Sequence, residues 1–232
     1  MENWEANPMN TNYSKDIETC IQYVMFASVL SLVSAAVSTI GSIWYDHMSN
    51  NYQGKMSVEE MGLFAKYAEF SKYGTLCSIA AMVLLLVGLL QGGKDCRRYH
   101  RAFLLVCLGG ACMIGYSLWI RNYLVDINEN SFLVMYVVRN ILSGGIAILY
   151  HTDIILATNE SLWDNGANDV VELGRKIYKV YFVVALIGIV IAAINAFAGG
   201  LTIVYNFAVT AVALLLVIFY FRAFKAYRPV SM

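Results

Sequence analysis

Arg139 and Asn140 lie side by side inside an apolar stretch running from Ser131 to Asp153, SFLVMYVVRNILSGGIAILYHTD. A guanidinium is a fixed planar cation with five donors, suited to a carboxylate or a phosphate. A carboxamide beside it adds both a donor and an acceptor. The stretch is long enough to cross a bilayer. A charge within such a span costs about 2.5–3.5 kcal/mol on insertion scales, so Arg139 must face protein or a wet cavity.

The neighbouring apolar stretches supply matching groups. On a 3.6-residue period, Tyr136, Asn140, Gly144, Ala147 and His151 share one face of this span. Asn195 falls on a seam with Ala185, Gly188, Ala192 and Gly199, and Asn206 on one with Thr202, Thr210 and Ala213. At 1.5 Å per residue, Asn140 lies roughly 12 Å, Asn206 roughly 8 Å and Asn195 roughly 6 Å below the same surface. Tyr116, Ser117, Thr39 and Ser42 fall in that half too, and Glu69 near its boundary. The inner stretches SIAAMVLLLVGLL and AVALLLVIFYF are almost wholly apolar. The pattern predicts a polar chamber open to the outside above an apolar seal, with Arg139, Asn140, Asn195, Asn206, Tyr136 and Glu69 as the ligand-binding set. The competing expectation is structural. Arg139 would pair with Glu69 or Asp126, and the asparagines would tie helices together at about 0.6 kcal/mol per contact.

Six spans must position these groups, at about 20–45, 70–91, 102–121, 132–152, 178–198 and 201–221. Each is near the roughly 20 residues that a hydrocarbon core requires. The chain has 232 residues, 59% hydrophobic and 14% charged, where a soluble domain carries about 25% charged. We read an all-α, polytopic transmembrane bundle forming one integral membrane domain over residues 1–232. A formal net charge of zero gives no argument for nucleic acid. The polar N-terminus lacks the pattern of a cleavable signal peptide.

Orientation follows from lysine and arginine. With the N-terminus in the cytoplasm, inside segments hold Lys15, then Lys94, Arg97, Arg98 and Arg101, then Arg175, Lys176 and Lys179, then Arg222, Lys225 and Arg228. Outside segments hold only Lys55, Lys66, Lys72 and Arg121. This bias predicts both termini inside and a cell-membrane location. The run KDCRRYHR at 94–101 reads as a topology signal against anionic headgroups.

Local signals complete the picture. Ser57 with Glu60 fits a capping box opening a long second helix, and Gly92-Gly93 fits its C-terminal cap. The rows Ala27/Ser31/Ala35, Ser34/Ser38/Ser42 and Cys107/Ala111/Gly115 read as close-contact faces. ATNESLWDNGAND reads as a cytoplasmic loop, with a further helix starting near Asn168. Gly199-Gly200 reads as a tight outer turn. His151 and Asp153 fall at the inner boundary, in headgroup water. Matches between the halves (Tyr23-Val24 with Tyr136-Val137, Gly92-Gly93 with Gly199-Gly200) fit a 3+3 inverted repeat, although apolar sequence produces such matches by chance.

The five cysteines show no metal-ligand spacing, and no lysine in an apolar interior or facing histidine pair implies a cofactor. No protease, phosphate-loop or triad motif points to an enzyme. The expected function is binding or transport of a small solute through that chamber, with an anion among the candidates. The alternative is a non-catalytic subunit or regulator of a larger membrane complex. The expected partners are the lipid bilayer, the solute, and a membrane protein or a second copy of the chain.

Overall fold

The computed structural model describes residues 14–51, 58–123, 129–195 and 202–227. They form six helices: α1 (Lys15–Asn51), α2 (Val58–Gly92), α3 (Arg97–Tyr123), α4 (Glu129–Asp164), α5 (Asn168–Asn195) and α6 (Thr202–Tyr227). Five of them, α1, α2, α3, α4 and α6, are long and apolar enough to cross a membrane. The chain is therefore an integral membrane protein built as a helical bundle. The Ser57 capping box, Asp126 and the Gly199-Gly200 turn lie outside the described residues.

Each helix packs on the next, and α6 returns to α1, closing a ring. Glycines set the α1–α2 approach. A Cβ at Gly74 would lie 2.9 Å from Val37, and one at Gly88 would lie 2.7 Å from Tyr23. α2 ends at Gly92, but neither Gly92 nor Gly93 adopts the left-handed backbone expected of a capping glycine. They are small because space is short: a Cβ on Gly92 would meet Cys20 Sγ at 2.7 Å, and one on Gly93 the Leu89 carbonyl at 2.8 Å.

α4 corrects the sequence reading most. It runs on through most of the expected loop ATNESLWDNGAND to Asp164. Its end is a Schellman motif, with Ala167 N–H donating to Leu162 O (3.0 Å) and Gly166 N–H to Trp163 O (3.0 Å). Gly166 there has φ +75°, the left-handed conformation that glycine adopts without a Cβ penalty. The polar letters of the segment suggested a loop, yet Thr158, Asn159, Ser161 and Leu162 are buried. Tertiary packing overrides the modest helix propensity of Thr158, Asn159 and Ser161.

The core sits at one end of the ring. Ile21, Leu89, Tyr99, Ile154, Phe219 and Tyr220 are fully or almost fully buried there, drawn from the start of α1 and α3 and the end of α2, α4 and α6. Polar contacts lock the same end. Ser14 caps α1 by accepting from Ile17 N–H at 3.2 Å, its own N–H donates to the Tyr227 hydroxyl at 3.1 Å, and its hydroxyl bonds Asp95. Toward the other end, apolar side chains such as Ile40, Ile114, Val134 and Val204 are exposed. The expected contact row Cys107/Ala111/Gly115 is exposed as well. α3 packs instead through Tyr99, Ala102 and Val106, because the large Tyr99 ring fills the gap that small residues would leave open.

Candidate functional site

α4 carries its polar residues to two different sides. Of the expected row, Asn140, Gly144, Ala147 and His151 face the middle of the ring, joined by Ser143 but not by Tyr136. They line a cavity of about 420 Å³ with residues of α1, α5 and α6, among them Ser31, Tyr181 and Tyr205. Ligand sites usually run roughly 300–1,000 Å³. The walls are otherwise apolar, supplied by Val184, Ile189, Val209, Val212 and Leu216. Asn140 Nδ2 is buried and has no hydrogen-bond partner among the described residues. His151 sits between Tyr150 (ring centroids 4.4 Å apart) and Tyr181 (4.9 Å). It is part of a cavity wall, not a side chain in headgroup water. Close approach shapes the cavity: Gly188 has no Cβ because the Tyr205 ring occupies that space.

Arg139 points elsewhere. One residue along, it is rotated by about 100°, toward α3. Its guanidinium lies 5.0 Å from the Tyr116 ring centroid, a cation–π contact. It lines a separate apolar crevice of about 260 Å³ with Tyr116, Trp119 and Met135. Its Nε is buried without a partner, and it makes no ion pair among the described residues. Ser143 borders both spaces.

The remaining expected site residues are dispersed. Asn206 lies in the α1–α6 seam, where its Nδ2 donates to Ser42 Oγ at 2.6 Å. Thr210 Oγ1 donates back to the Asn206 carbonyl at 2.9 Å and stands 3.0 Å from Thr39 Oγ1. This is the helix-tying arrangement that the structural expectation described. Glu69 is exposed on α2, and Tyr136 is half-buried on α4 and lines neither space. Asn195 ends α5, and its side chain lies outside the described residues. The single chamber around Arg139 thus becomes a central cavity at Asn140, a crevice at Arg139 and a closed polar seam at Asn206. Depth and face agreed, but adjacent helix positions diverge by more than a quarter turn, and depth alone cannot show which side of α4 each neighbour occupies.

The sequence reading missed the most heavily connected polar group. Asp153 is 1% exposed and takes a bidentate grip from Arg101, with Nε at 2.5 Å and Nη2 on the second oxygen. Arg98 reaches Asp153 at 4.0 Å and Glu160 at 2.8 Å. Beside them Tyr99 and Thr158 share a buried hydroxyl–hydroxyl bond of 2.9 Å. The basic run at 94–101 is therefore also a fastening of α3 to α4. A signal existed: a lone carboxylate ending one apolar span at the same depth as a cationic run opening its neighbour.

No family model, curated protein or solved structure matches the chain.

Proposed function

We propose that this protein lies in the cell membrane with both termini in the cytoplasm and binds or transports a small solute through the space between α1, α4, α5 and α6. That orientation puts the tightly packed end inside. The solute that suits the cavity is mainly apolar, with a hydrogen-bond acceptor for Asn140 and a volume below about 420 Å³. The observation that carries this reading is the unpartnered Asn140 Nδ2 on a cavity wall, since a buried donor left unmade costs about 1–3 kcal/mol. Anion preference attaches to the Arg139 crevice, which shares Ser143 with the cavity.

Acetophenone, an apolar ring bearing one carbonyl acceptor, is a suitable probe. It should raise the Tm of the detergent-solubilised protein. The rise should vanish in Asn140→Leu, which removes the donor, and in Gly144→Leu, which fills the cavity. An equal rise in all three proteins defeats the reading. The satisfied Asn206 seam supports the second reading, a non-catalytic subunit of a larger membrane complex. Under that reading acetophenone protects none of the three.

A further inference from the structure

The crevice between α3 and α4 opens on the outside of the bundle and shares only Ser143 with the central cavity. Its rim residues Cys112, Gly115, Val138 and Leu142 are exposed. On a spanning helix such apolar surface meets acyl chains. The crevice measures about 260 Å³, and apart from Arg139 and Ser143 its walls are apolar or aromatic.

Arg139 is fixed in this wall. Its side chain is half-buried and its Nε is closed off. Its guanidinium lies over Tyr116, whose ring stacks with Trp119 at 6.4 Å between centroids. Neither Nη nitrogen is closed off, and no ion pair among the described residues includes them. The described apolar span begins at Val134, so Arg139 lies roughly 8 Å into it. An unpaired cation at that depth is costly, and a bound anion offsets the cost. The headgroup of a two-chain phospholipid stays at the interface, above this level. A carboxylate on a single flexible chain follows the wall down to it.

We infer that this crevice binds the carboxylate of a single-chain fatty acid that enters sideways from the bilayer. The open nitrogens of Arg139 donate to the carboxylate oxygens. The chain lies along Met113, Met135 and Leu142, where unbranched thioethers adapt to an apolar partner. The volume suits one chain of medium length and leaves no room for a second. This gives a ligand class to the anion preference of the crevice. It does not rest on Asn140, so acetophenone binding in the central cavity holds or fails independently of it.

Tryptophan quenching in phosphatidylcholine nanodiscs tests this, with a terminally brominated undecanoic acid as the probe and its methyl ester as the uncharged control. Trp119 lines the crevice and is one of the chain's four tryptophans, so the acid should remove up to about a quarter of the emission and then saturate. The saturable part should vanish in Trp119→Phe, which assigns it to this wall. Arg139→Gln should raise the half-saturating acid concentration about tenfold, through loss of one charge-assisted contact. Gly115→Leu should abolish saturation, because a Cβ there meets nothing within 4 Å and leucine fills the crevice without a clash. An ester that saturates as the acid does overturns the carboxylate. Unchanged quenching in Arg139→Gln, or no saturable quenching in the parent, overturns the site. Loss of the parent's saturable quenching in phosphatidylglycerol discs means that a phospholipid phosphate takes the place, which overturns the fatty acid.

Discussion

Arg101 and Arg139 lie on neighbouring helices, and the protein treats them in opposite ways. Arg101 stands at the packed end of the ring, keeps its side chain largely in solvent and grips the buried Asp153 with two nitrogens. Arg139 sits toward the open end, with a tyrosine face in place of a carboxylate and one nitrogen unsatisfied. At the packed end Asp16, Asp153 and Glu160 each have an answering cation, and the Tyr99, Phe219 and Tyr220 rings are fully or almost fully buried. At the open end the polar residues divide between a cavity, a crevice and a seam. The difference suggests a division of labour, with rigidity concentrated where charge is paired and adaptable space left where it is not.

The largest effect that would test this contrast is at Phe219, which is fully buried between α5 and α6. Phe219→Ala should cost about 3–5 kcal/mol and leave little folded protein in detergent, as measured by size-exclusion recovery and Tm. Ile114→Ala, on an exposed face, should leave Tm nearly unchanged. If both variants melt alike, stability is not concentrated at one end.

An intermediate loss is expected for Asp153→Ala. It removes the carboxylate that anchors Arg101 and Arg98, but both cations keep access to water, so neither is stranded. Arg101→Gln/Asp153→Ala should therefore melt with Asp153→Ala alone, and a partial recovery would mean that a stranded cation, not the lost tie, sets the cost. Comparing Tm of the single and double variants separates the two.

Among the charged residues, the smallest effect is expected at Arg139. Arg139→Gln removes a cation–π contact of about 0.5–1 kcal/mol and should shift Tm by only a few degrees. A drop as large as that of Asp153→Ala would mean that Arg139 is a structural anchor, and the contrast between the two ends would fail.

Much of the fold was legible in the chain. The long second helix expected to open at Ser57 and close at Gly92-Gly93 appears as Val58–Gly92, and the helix expected to start near Asn168 or Asp169 begins at Asn168. The Asn140 face of α4 lines a space as its periodicity implied. The site was legible in part only. Arg139 and Asn140 were read as one group because they lie at the same depth, yet the helix turns them to different neighbours. The end of α4 was misread because Thr158, Asn159 and Ser161 look like loop residues until packing buries them.

Composition and periodicity by themselves determined that this chain is a membrane bundle, because apolar runs of this length cannot remain in water. They also determined which residues share a helix face, since 3.6 residues per turn is a property of the backbone alone. Only the tertiary structure decided what each face meets. Pairing Arg101 with Asp153, Tyr99 with Thr158 and Asn206 with Ser42 depends on how helices far apart in the chain rotate about their axes. That rotation is set by the fit of rings and glycines between helices, such as Tyr205 against Gly188, which no local pattern encodes.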